Sequence, residues 1–257
     1  MRAHTSVRSL YSPVALVVLW ELIVRIGLVD AAFLPSPTQI TRAFVEIGPL
    51  MVLEQLGASL FRVFAGLFAA ALVGIALGTW MARNAHVDRF FAPILGSIYS
   101  VPKSAFIPLL ILWLGVGNSS TIVAVFLACL LPVVVYSFHG VQEVPRVLQW
   151  GAATLGGTRG GIIWRVYLPA ASAQIFTGLR IALGFAFFLS TSAEMIASTS
   201  GLGKLIFAYG QGGNYDAMFA ALAVLVAAAF AADQAFVRIR DRQLRWMPTQ
   251  RANQAAA

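Results

Sequence analysis

The residues of this chain that could take part in chemistry are three ionisable side chains within long apolar stretches. Arg62, Lys103 and Glu194 each lie in a stretch that otherwise carries few charges. A charge in a hydrocarbon environment is costly, so each of these residues is a functional candidate by default. Arg62 lies near the start of its stretch, and we expect its long side chain to extend to the membrane surface there.

Polar and irregular surroundings accompany the other two charges. Lys103 follows Pro102 in the segment SVPKSAFIP, residues 100–108. Glu194 shares a helical face, at spacings of three and four residues, with Phe187, Ser190, Thr191 and Ser198. Such a face could line a pore. Two interpretations stay open: Lys103 and Glu194 form a structural ion pair, or they contact a transported solute.

The sequence contains no catalytic or metal-binding constellation. Residues 201–204 (GLGK) come nearest to a phosphate-binding loop, but Leu205 occupies the position where Ser or Thr would hold magnesium. His4, His86 and His139 are far apart and have no Cys or carboxylate at ligand spacing. A G-x-S-x-G nucleophile motif does not occur either. We therefore expect a protein that is not an enzyme and binds no metal or cofactor.

The composition identifies an all-α membrane protein. Of the 257 residues, 59% are hydrophobic and only 11% are charged, with a mean hydropathy of +0.81. A transmembrane helix needs roughly 20 apolar residues, and the length of the runs excludes a β-barrel. Six stretches qualify as spans: about 12–29, 57–82, 90–115, 121–138, 175–197 and 217–236. The chain then divides into a terminus (1–11), a transmembrane domain (12–236) and a basic tail (237–257).

The first span could be mistaken for a cleaved signal peptide. Glu21 and Arg25 lie four residues apart within it, whereas the apolar region of a signal peptide carries no charge. That spacing suits an ion pair on a helix, so we expect the span to be retained. The single Cys129 lies in an apolar run, cannot form an intrachain disulfide and is expected to pack in the core.

The positions of Lys and Arg predict the orientation. With a cytoplasmic N-terminus, only Arg42 and Lys204 fall on outer segments. The inner segments hold thirteen arginines: Arg2, Arg8, Arg83, Arg89, Arg146, Arg159, Arg165, Arg180, Arg238, Arg240, Arg242, Arg245 and Arg251. The positive-inside rule therefore places both termini and segment 139–174 in the cytoplasm. The net charge of +8 reflects this topology rather than nucleic-acid binding, because the arginines are scattered over all inner segments.

Small residues and prolines predict where the spans pack or bend. Gly66, Ala70, Gly74 and Gly78 form a stripe on the second span, which is typical of close packing between helices of one subunit. The third span contains three prolines and cannot be one regular helix. Irregular backbone at membrane depth is tolerated where it is buried or lines an aqueous path. Residues 100–108 are therefore a candidate pathway segment.

A polar, glycine-rich insert separates the fourth and fifth spans. Residues 150–178 read WGAATLGGTRGGIIWRVYLPAASAQIFTG. The small residues form a slim helical edge, the glycine pair at 156–157 allows a turn, and Pro169 is expected to end the segment before the fifth span. Such an insert in a chain with little soluble mass indicates contact with another protein.

The run AATLG at 152–156, followed by LP at 168–169 and TGLR at 177–180, resembles the EAA loop of ABC-importer permeases. Four other phrases match the nitrate, sulfonate and taurine branch of that family, and the likeness extends from about residue 12 to 246. They are LPSP at 34–37, SLFR at 59–62, PLLILWLGVG at 108–117, and AEM at 193–195 followed by GLG at 201–203.

The resemblance implies a coupling loop, residues 139–174, that docks on a cytoplasmic ATPase. The residues implied in coupling are Trp150, Ala152, Ala153, Gly156, Arg159, Arg165, Leu168 and Pro169. The chain departs from the motif at its start, where Trp150 stands in place of the usual glutamate and the nearest acid is Glu143. The Trp150 ring could compensate by burying itself against the ATPase.

The resemblance further implies a multi-pass permease of the bacterial inner membrane. Two copies would form the pore, an ATPase dimer would dock on the cytoplasmic side, and an extracytoplasmic binding protein would deliver solute to segments 30–56 and 198–216. The third to fifth spans would line the route, and Lys103 would favour an anion such as a sulfonate, taurine or nitrate. Vitamin precursors and aromatic acids are alternative solutes. An ATPase-independent transporter or channel is the rival function, but the second half of the chain contains no repeat of residues 100–108.

Overall fold

A computed structural model describes residues 4–30 and 32–246, and every regular element in these ranges is helical. Residues 1–3, which include Arg2, and the tail residues 247–257, which include Arg251, lie outside the described residues. The elements are α1 (His4–Arg25), α2 (Pro37–Ile47), α3 (Pro49–Arg83), α4 (Ala85–Tyr99), a 3-10 turn (Lys103–Phe106), α5 (Ile107–Leu114), α6 (Asn118–Gln142), α7 (Arg146–Thr154), α8 (Arg159–Ile162), a π-helical segment (Ile163–Tyr167), α9 (Leu168–Ala197), α10 (Leu202–Gln211) and α11 (Tyr215–Gln243).

Four helical stretches in the described part are long and apolar enough to cross a membrane, and a bent pair of helices gives a fifth. The four stretches are Pro49–Arg83, Asn118–Gln142, Gly160–Ile196 and Tyr215–Gln243. The predicted first span, 12–29, overlaps α1, which is not among the five, so a sixth span stays a prediction. α11 continues to Gln243, so the first residues of the predicted tail extend the last span as a helix.

The third predicted span is the bent pair. The axis of α4 and that of the following segment, Lys103–Leu114, differ by 92°. Pro102 lies at the break, has no amide N–H and disfavours helical backbone in the residue before it. Pro108 is tolerated because it lies in the first turn of α5, where an amide N–H would have no helical partner. The prediction that this span is not one regular helix is confirmed.

The centre of the bundle is the contact between α3 and α6. A Cβ atom added at Gly66 would lie 2.6 Å from Cγ1 of Val125, and one added at Gly78 would lie 2.5 Å from the carbonyl oxygen of Val134. Only glycine at these positions permits so close an approach of the two helices. The small-residue stripe of α3 therefore packs within one subunit, as predicted.

The other long helices close the core around this pair. Val63, Val125, Ala182, Leu202 and Ala221, from α3, α6, α9, α10 and α11, belong to one buried apolar cluster. Short α10 thus contributes to the core although it is too short to span a membrane.

α9 and α11 run antiparallel. Arg180 of α9 donates to Asp233 of α11 at 2.7 and 2.9 Å, and Phe176 packs edge to face on Phe236 with ring centroids 5.9 Å apart. The start of α9 and the end of α11 therefore lie at the same end of the bundle. This end also carries α7 and α8, and we call it the α7 end. The opposite end, which carries α10, is the α10 end.

Polar contacts connect α1 to α2. The predicted ion pair within α1 is confirmed, since Arg25 Nε lies 2.6 Å from Glu21 Oε1. Glu21 also accepts hydrogen bonds from the hydroxyl and the amide of Thr38, at 2.8 and 3.1 Å. Thr38 lies in the first turn of α2, where Ser36 and Gln39 form a reciprocal capping box. The charge pair of α1 thus fixes the position of α2.

The contact between α3 and α6 predicts that a methyl group added at a glycine of this contact lowers the stability of the protein, whereas one added elsewhere on α3 does not. Gly78→Ala should destabilise the protein by about 1–3 kcal/mol, because the new Cβ meets backbone that cannot move without separating the helices. Gly57→Ala is the matched control in the same helix, because a Cβ there meets nothing within 4 Å. Thermal unfolding of the detergent-purified chain measures both. Equal melting temperatures for the two variants would contradict this packing.

Candidate functional site

α7 is an exposed helix with apolar side chains. Val144 and Pro145 end the preceding turn, and α7 has only nine residues, too few to span a membrane. Trp150 is 63% exposed, and Leu155, just past the helix end, is 89% exposed. Val147 is exposed on the same side of the helix. Large apolar side chains grouped outside the spans indicate a surface that binds another protein.

The turn after α7 has the geometry that its two glycines predict. Gly156 has φ of +78°, a left-handed conformation that favours glycine. The Gly157 amide donates to the Ala152 carbonyl at 3.0 Å and so closes the end of α7. Thr158 then caps α8, its hydroxyl accepting from the Gly161 amide at 3.2 Å. The predicted turn at 156–157 is confirmed.

The predicted helix end at Pro169 is wrong. The chain stays helical from α8 through the π-helical segment into α9, and Pro169 is the second residue of α9. Proline removes one helical hydrogen bond and crowds the preceding turn. The wider π turn accommodates this change, with the Leu168 amide donating to the Ile163 carbonyl. α9 therefore continues directly from the α7–α8 region.

Tyr167 connects this region to the bundle. Its buried side chain belongs to one apolar cluster with Val141 of α6, Val144 in the turn after α6, and Ile175 of α9. The guanidinium carbon of Arg83, the last residue of α3, lies 4.3 Å from the centre of the Tyr167 ring, a cation–π contact. A displacement of the α7–α8 region would therefore act on three long helices at once.

The structure brings several predicted coupling residues together. A surface groove of about 460 Å³ is lined by Ala152, Gly156, Gly157 and Arg165, among others. Trp150 and Ala153 are exposed on α7 outside this groove, and Leu168 and Pro169 begin α9. Arg159 is the first residue of α8. Glu143, the acid nearest to Trp150, accepts a hydrogen bond from Gln174 at 3.3 Å and so connects α6 to α9.

A second candidate site lies at the α10 end, where the Glu194 carboxylate is buried with a full set of donors. Its oxygens accept from Ser59 Oγ at 2.7 Å, Arg62 Nη1 at 2.9 Å and the Gly203 amide at 3.0 Å. The hydroxyl of Ser190, one helical turn earlier, lies 3.4 Å away. A buried carboxylate is stable only with this degree of compensation.

Arg62 is buried with Glu194, and its expected extension to the membrane surface is wrong. Both side chains are 1% exposed. The remaining guanidinium N–H groups donate to Asn118 Oδ1 and to the Ser200 carbonyl and hydroxyl oxygens, each at 2.7 Å. The cluster connects α3, the start of α6, α9 and the segment before α10, and we call it the Arg62–Glu194 network.

Two glycines allow the backbone to lie against this network. A Cβ at Gly201, where φ is +112°, would lie 2.5 Å from Cδ of Glu194 and 2.7 Å from Nη1 of Arg62. A Cβ at Gly203 would lie 2.6 Å from the Thr191 carbonyl oxygen. The two glycines of the GLG sequence therefore allow the backbone to lie close to a buried charge. The sequence analysis did not connect Gly201 and Gly203 with Glu194, although the spacing of the two glycines was a signal that the backbone lies close to another group there.

Lys103 lies apart from Glu194, so the structural ion pair, one of the two interpretations left open, is wrong. Its Nζ donates to the Tyr99 carbonyl at 2.7 Å and lies 5.5 Å from the centre of the Tyr99 ring. The ammonium group thus covers the end of α4, where carbonyls lack helical donors. Within the described residues Lys103 has no carboxylate partner. Pro102 beside it is exposed.

A cavity of about 390 Å³ lies beside this break, between α4 and α6. Polar groups of Asp88, Tyr99, Ser100 and His139 contribute to its lining.

The polar face of α9 turns into the protein. Phe187 belongs to the main apolar core, and Ser190 is buried beside Glu194. Thr191 donates its hydroxyl hydrogen to the Phe187 carbonyl at 2.8 Å, and Ser198 donates to the Ser200 carbonyl at 2.6 Å. In this conformation the face braces α9 against α3 and α10.

Comparison with known proteins gives consistent matches. Residues 70–246 match the family described as binding-protein-dependent transport system inner membrane component. The chain is 34% identical over 237 residues to the taurine transport system permease protein TauC of Escherichia coli (strain K12), with 90% of this chain and 86% of the relative covered. It is 32% identical over 171 residues to the nitrate import permease protein NrtB of Leptolyngbya laminosa, with coverages of 66% and 61%.

A solved structure has the same fold. It is the MetNI methionine ABC transporter in an inward-facing conformation, with a TM-score of 0.67 at 21% identity. The match covers 76% of this chain and 96% of the MetNI transporter chain.

The Arg62–Glu194 network predicts which charge is structurally essential. Glu194→Gln leaves Arg62 buried without a counter-charge and should cost about 3–5 kcal/mol of stability, visible as loss of monodisperse protein in detergent. Arg62→Gln should behave alike. Lys103→Gln is the control and should melt near the wild-type temperature, because the Lys103 ammonium donates to the Tyr99 carbonyl at the end of α4 and pairs with no buried carboxylate in the described part of the chain. A Lys103→Gln loss equal to that of Glu194→Gln would contradict the assignment.

Gly201 provides a separate prediction. Gly201→Ala adds both backbone strain and a clash with the ion pair. Gly213→Ala adds strain alone, since φ there is +72° and a Cβ meets nothing within 4 Å. The strain should cost about 1–2 kcal/mol in Gly213→Ala. In Gly201→Ala it should cost up to about 3 kcal/mol before the clash is counted, because φ of +112° with ψ of 158° is a conformation essentially restricted to glycine. Thermal melting should therefore show a clearly larger loss for Gly201→Ala, and similar losses would argue against close packing of this backbone on Glu194.

Proposed function

The chain belongs to the family of binding-protein-dependent transport system inner membrane components, and from this membership we propose how it couples an ATPase to solute movement. It is a multi-pass inner-membrane permease subunit of an ABC importer, and the predicted likeness to the nitrate, sulfonate and taurine branch is confirmed. We assign ATP hydrolysis to a separate cytoplasmic subunit. The finer assignments of docking surface, partners, pathway and solute follow as proposals.

The ATPase docks on α7 and the following turn. The observation that carries this assignment is the exposed apolar side of α7, with Val147, Trp150 and Leu155, on a helix too short to span the membrane. Tryptophan is enriched among the residues that dominate binding energy at protein interfaces, so Trp150 can replace the usual glutamate as an anchor. Arg159 and Arg165 supply positive charge for acidic residues of the partner. This assignment places the α7 end in the cytoplasm.

Movement of the ATPase reaches the bundle through Tyr167. The ring lies between the ends of α3 and α6, and the unbroken helix from α8 into α9 carries any displacement towards the α10 end. Rigid helices and packed side chains are the physical means by which such coupling travels. We therefore infer that α3, α6 and α9 move together when the ATPase dimer closes.

At the opposite side, segments 30–56 and 198–216 form the outer surface that receives the binding protein. The Arg62–Glu194 network supports this role, because it holds residues 198–203 and α10 on the rigid part of the subunit. A second copy of the chain completes the pore. The exposed apolar side chains of α5, including Leu112 and Trp113, offer a surface for membrane or for that second copy.

The route for solute follows the break in the third span, with the polar face of α9 as its support. Irregular backbone at membrane depth is favourable only where protein or water satisfies it, and the cavity between α4 and α6 adjoins the break. Lys103 is a cation without a carboxylate partner in the described part of the chain, which favours an anionic solute. Sulfonates such as taurine, or nitrate, have the required chemistry.

Trp150 provides the test of ATPase docking. Trp150→Asp should reduce retention of the purified partner ATPase at least tenfold in a pull-down, because a buried aromatic anchor is replaced by a charge. Trp246→Asp is the matched control, since Trp246 is similarly exposed near the end of α11, at the same end of the molecule.

The two variants separate docking from general damage. Retention by wild type and Trp246→Asp, with loss in Trp150→Asp, supports the proposal. Equal retention in all three would show that the ATPase binds elsewhere. Retention by none of the three would contradict a permease that depends on this ATPase. Gly156→Asp is less informative, because the left-handed backbone at Gly156 adds strain to the effect of charge.

A further inference from the structure

A groove of about 640 Å³ opens on the side of the bundle between α3 and the start of α9. Most of its wall is apolar and includes Leu72, Ile75 and Ala76 on α3 and Phe176 on α9. Arg83 lies at one end of the groove, with the exposed indoles of Trp80 and Trp164 beside it. The groove therefore has one cationic end and an apolar remainder.

The dimensions of the groove match one leaflet of a bilayer. From Ala71 to Arg83, α3 rises about 18 Å, whereas one leaflet contributes about 15 Å of hydrocarbon. Tryptophan and arginine are typical of the boundary between hydrocarbon and headgroups. The Arg83 guanidinium is oriented by the Tyr167 ring and has no carboxylate partner among the residues that the structure describes. Its N–H groups are thus available to a ligand oxygen.

We propose that this groove binds an anionic phospholipid, with an acyl chain along α3 and the phosphate on Arg83. Charge complementarity selects this occupant, because a basic pocket between helices at the cytoplasmic side is suited to an anionic headgroup. A transmembrane helix of a second copy is the alternative occupant, and the test below distinguishes it from a lipid.

The position of the groove gives the lipid a role in coupling. One wall is α3, and the other is formed by the π-helical segment and α9, so a bound chain fills the contact between the bundle and the element that carries α7 and α8. The lipid would tighten this contact. The inference goes beyond the proposed function and shares with it only the cytoplasmic location of the α7 end.

Tryptophan quenching tests the site directly in the full chain. Trp20, Trp113, Trp150 and Trp246 are replaced by Phe, so that fluorescence comes from Trp80 and Trp164 alone. The probe is phosphatidylglycerol with brominated acyl chains, titrated into phosphatidylcholine vesicles, and brominated phosphatidylcholine is the comparison. Half-maximal quenching should require about fivefold less of the anionic lipid, the preference expected for one cationic side chain.

Two variants, each with a matched control, test whether the preference arises in the groove. Arg83→Gln should abolish the difference between the lipids, while Arg89→Gln, a matched change at the start of the next helix, should retain it. Ala76→Phe fills the groove and should reduce quenching by both lipids, whereas Ala227→Phe, at an exposed position of α11, should not.

Equal quenching by the two lipids in the parent chain, or an unchanged preference in Arg83→Gln, would overturn the proposal. Weak quenching by both lipids, together with photo-crosslinking between copies from Ala76→Cys, would instead assign the groove to a second copy. Because no ATPase is present, these outcomes are independent of the docking test.

Discussion

The buried Glu194 carboxylate imposes the strongest constraint on this structure. Its charge can remain in the protein interior only if donors surround it, and these come from α3, from α9 itself and from the backbone of the first turn of α10. Arg62 in turn needs acceptors, which Asn118 and Ser200 supply. Because apolar residues of similar volume could stabilise such a site as well, the network is better understood as fixing one arrangement of helices than as adding stability.

This arrangement connects the two ends of the subunit. α9 carries Glu194 near one end and begins beside Tyr167 at the other, and its 30 residues rise about 45 Å without a break. α3 carries Arg62 and ends at Arg83, which contacts the Tyr167 ring. The two helices are thus connected by charged groups at both ends and by α6 between them. Under the proposed function, a force applied at α7 would displace a rigid unit, and the same unit would hold the outer segment in place.

Much of this architecture could be predicted from the sequence, because it depends on local chemistry. Hydropathy predicts the long helices, Pro102 predicts the break in the third span, and the glycines at 156–157 predict a turn. The partner of Glu194 could not be predicted, because Arg62 is 132 residues away and the choice between Arg62 and Lys103 depends on which helices are neighbours. Two local features of the sequence belong to this site, although neither identifies the partner of Glu194. Ser59 lies one turn before Arg62, and two glycines flank Leu202. The predicted helix end at Pro169 was wrong for a local reason. A π-helical turn accommodates a proline that would ordinarily end a helix.

The central claim is that the exposed turn after α7 is the contact through which an ATPase drives this permease. A photo-crosslinker attached at Leu155→Cys tests it most directly, because the native Cys129 is buried and escapes labelling. The account predicts that the label at position 155 captures the partner ATPase in reconstituted membranes, whereas the same label at Trp246→Cys does not. Capture from position 246 but not from 155, with ATP-driven uptake intact, would contradict it.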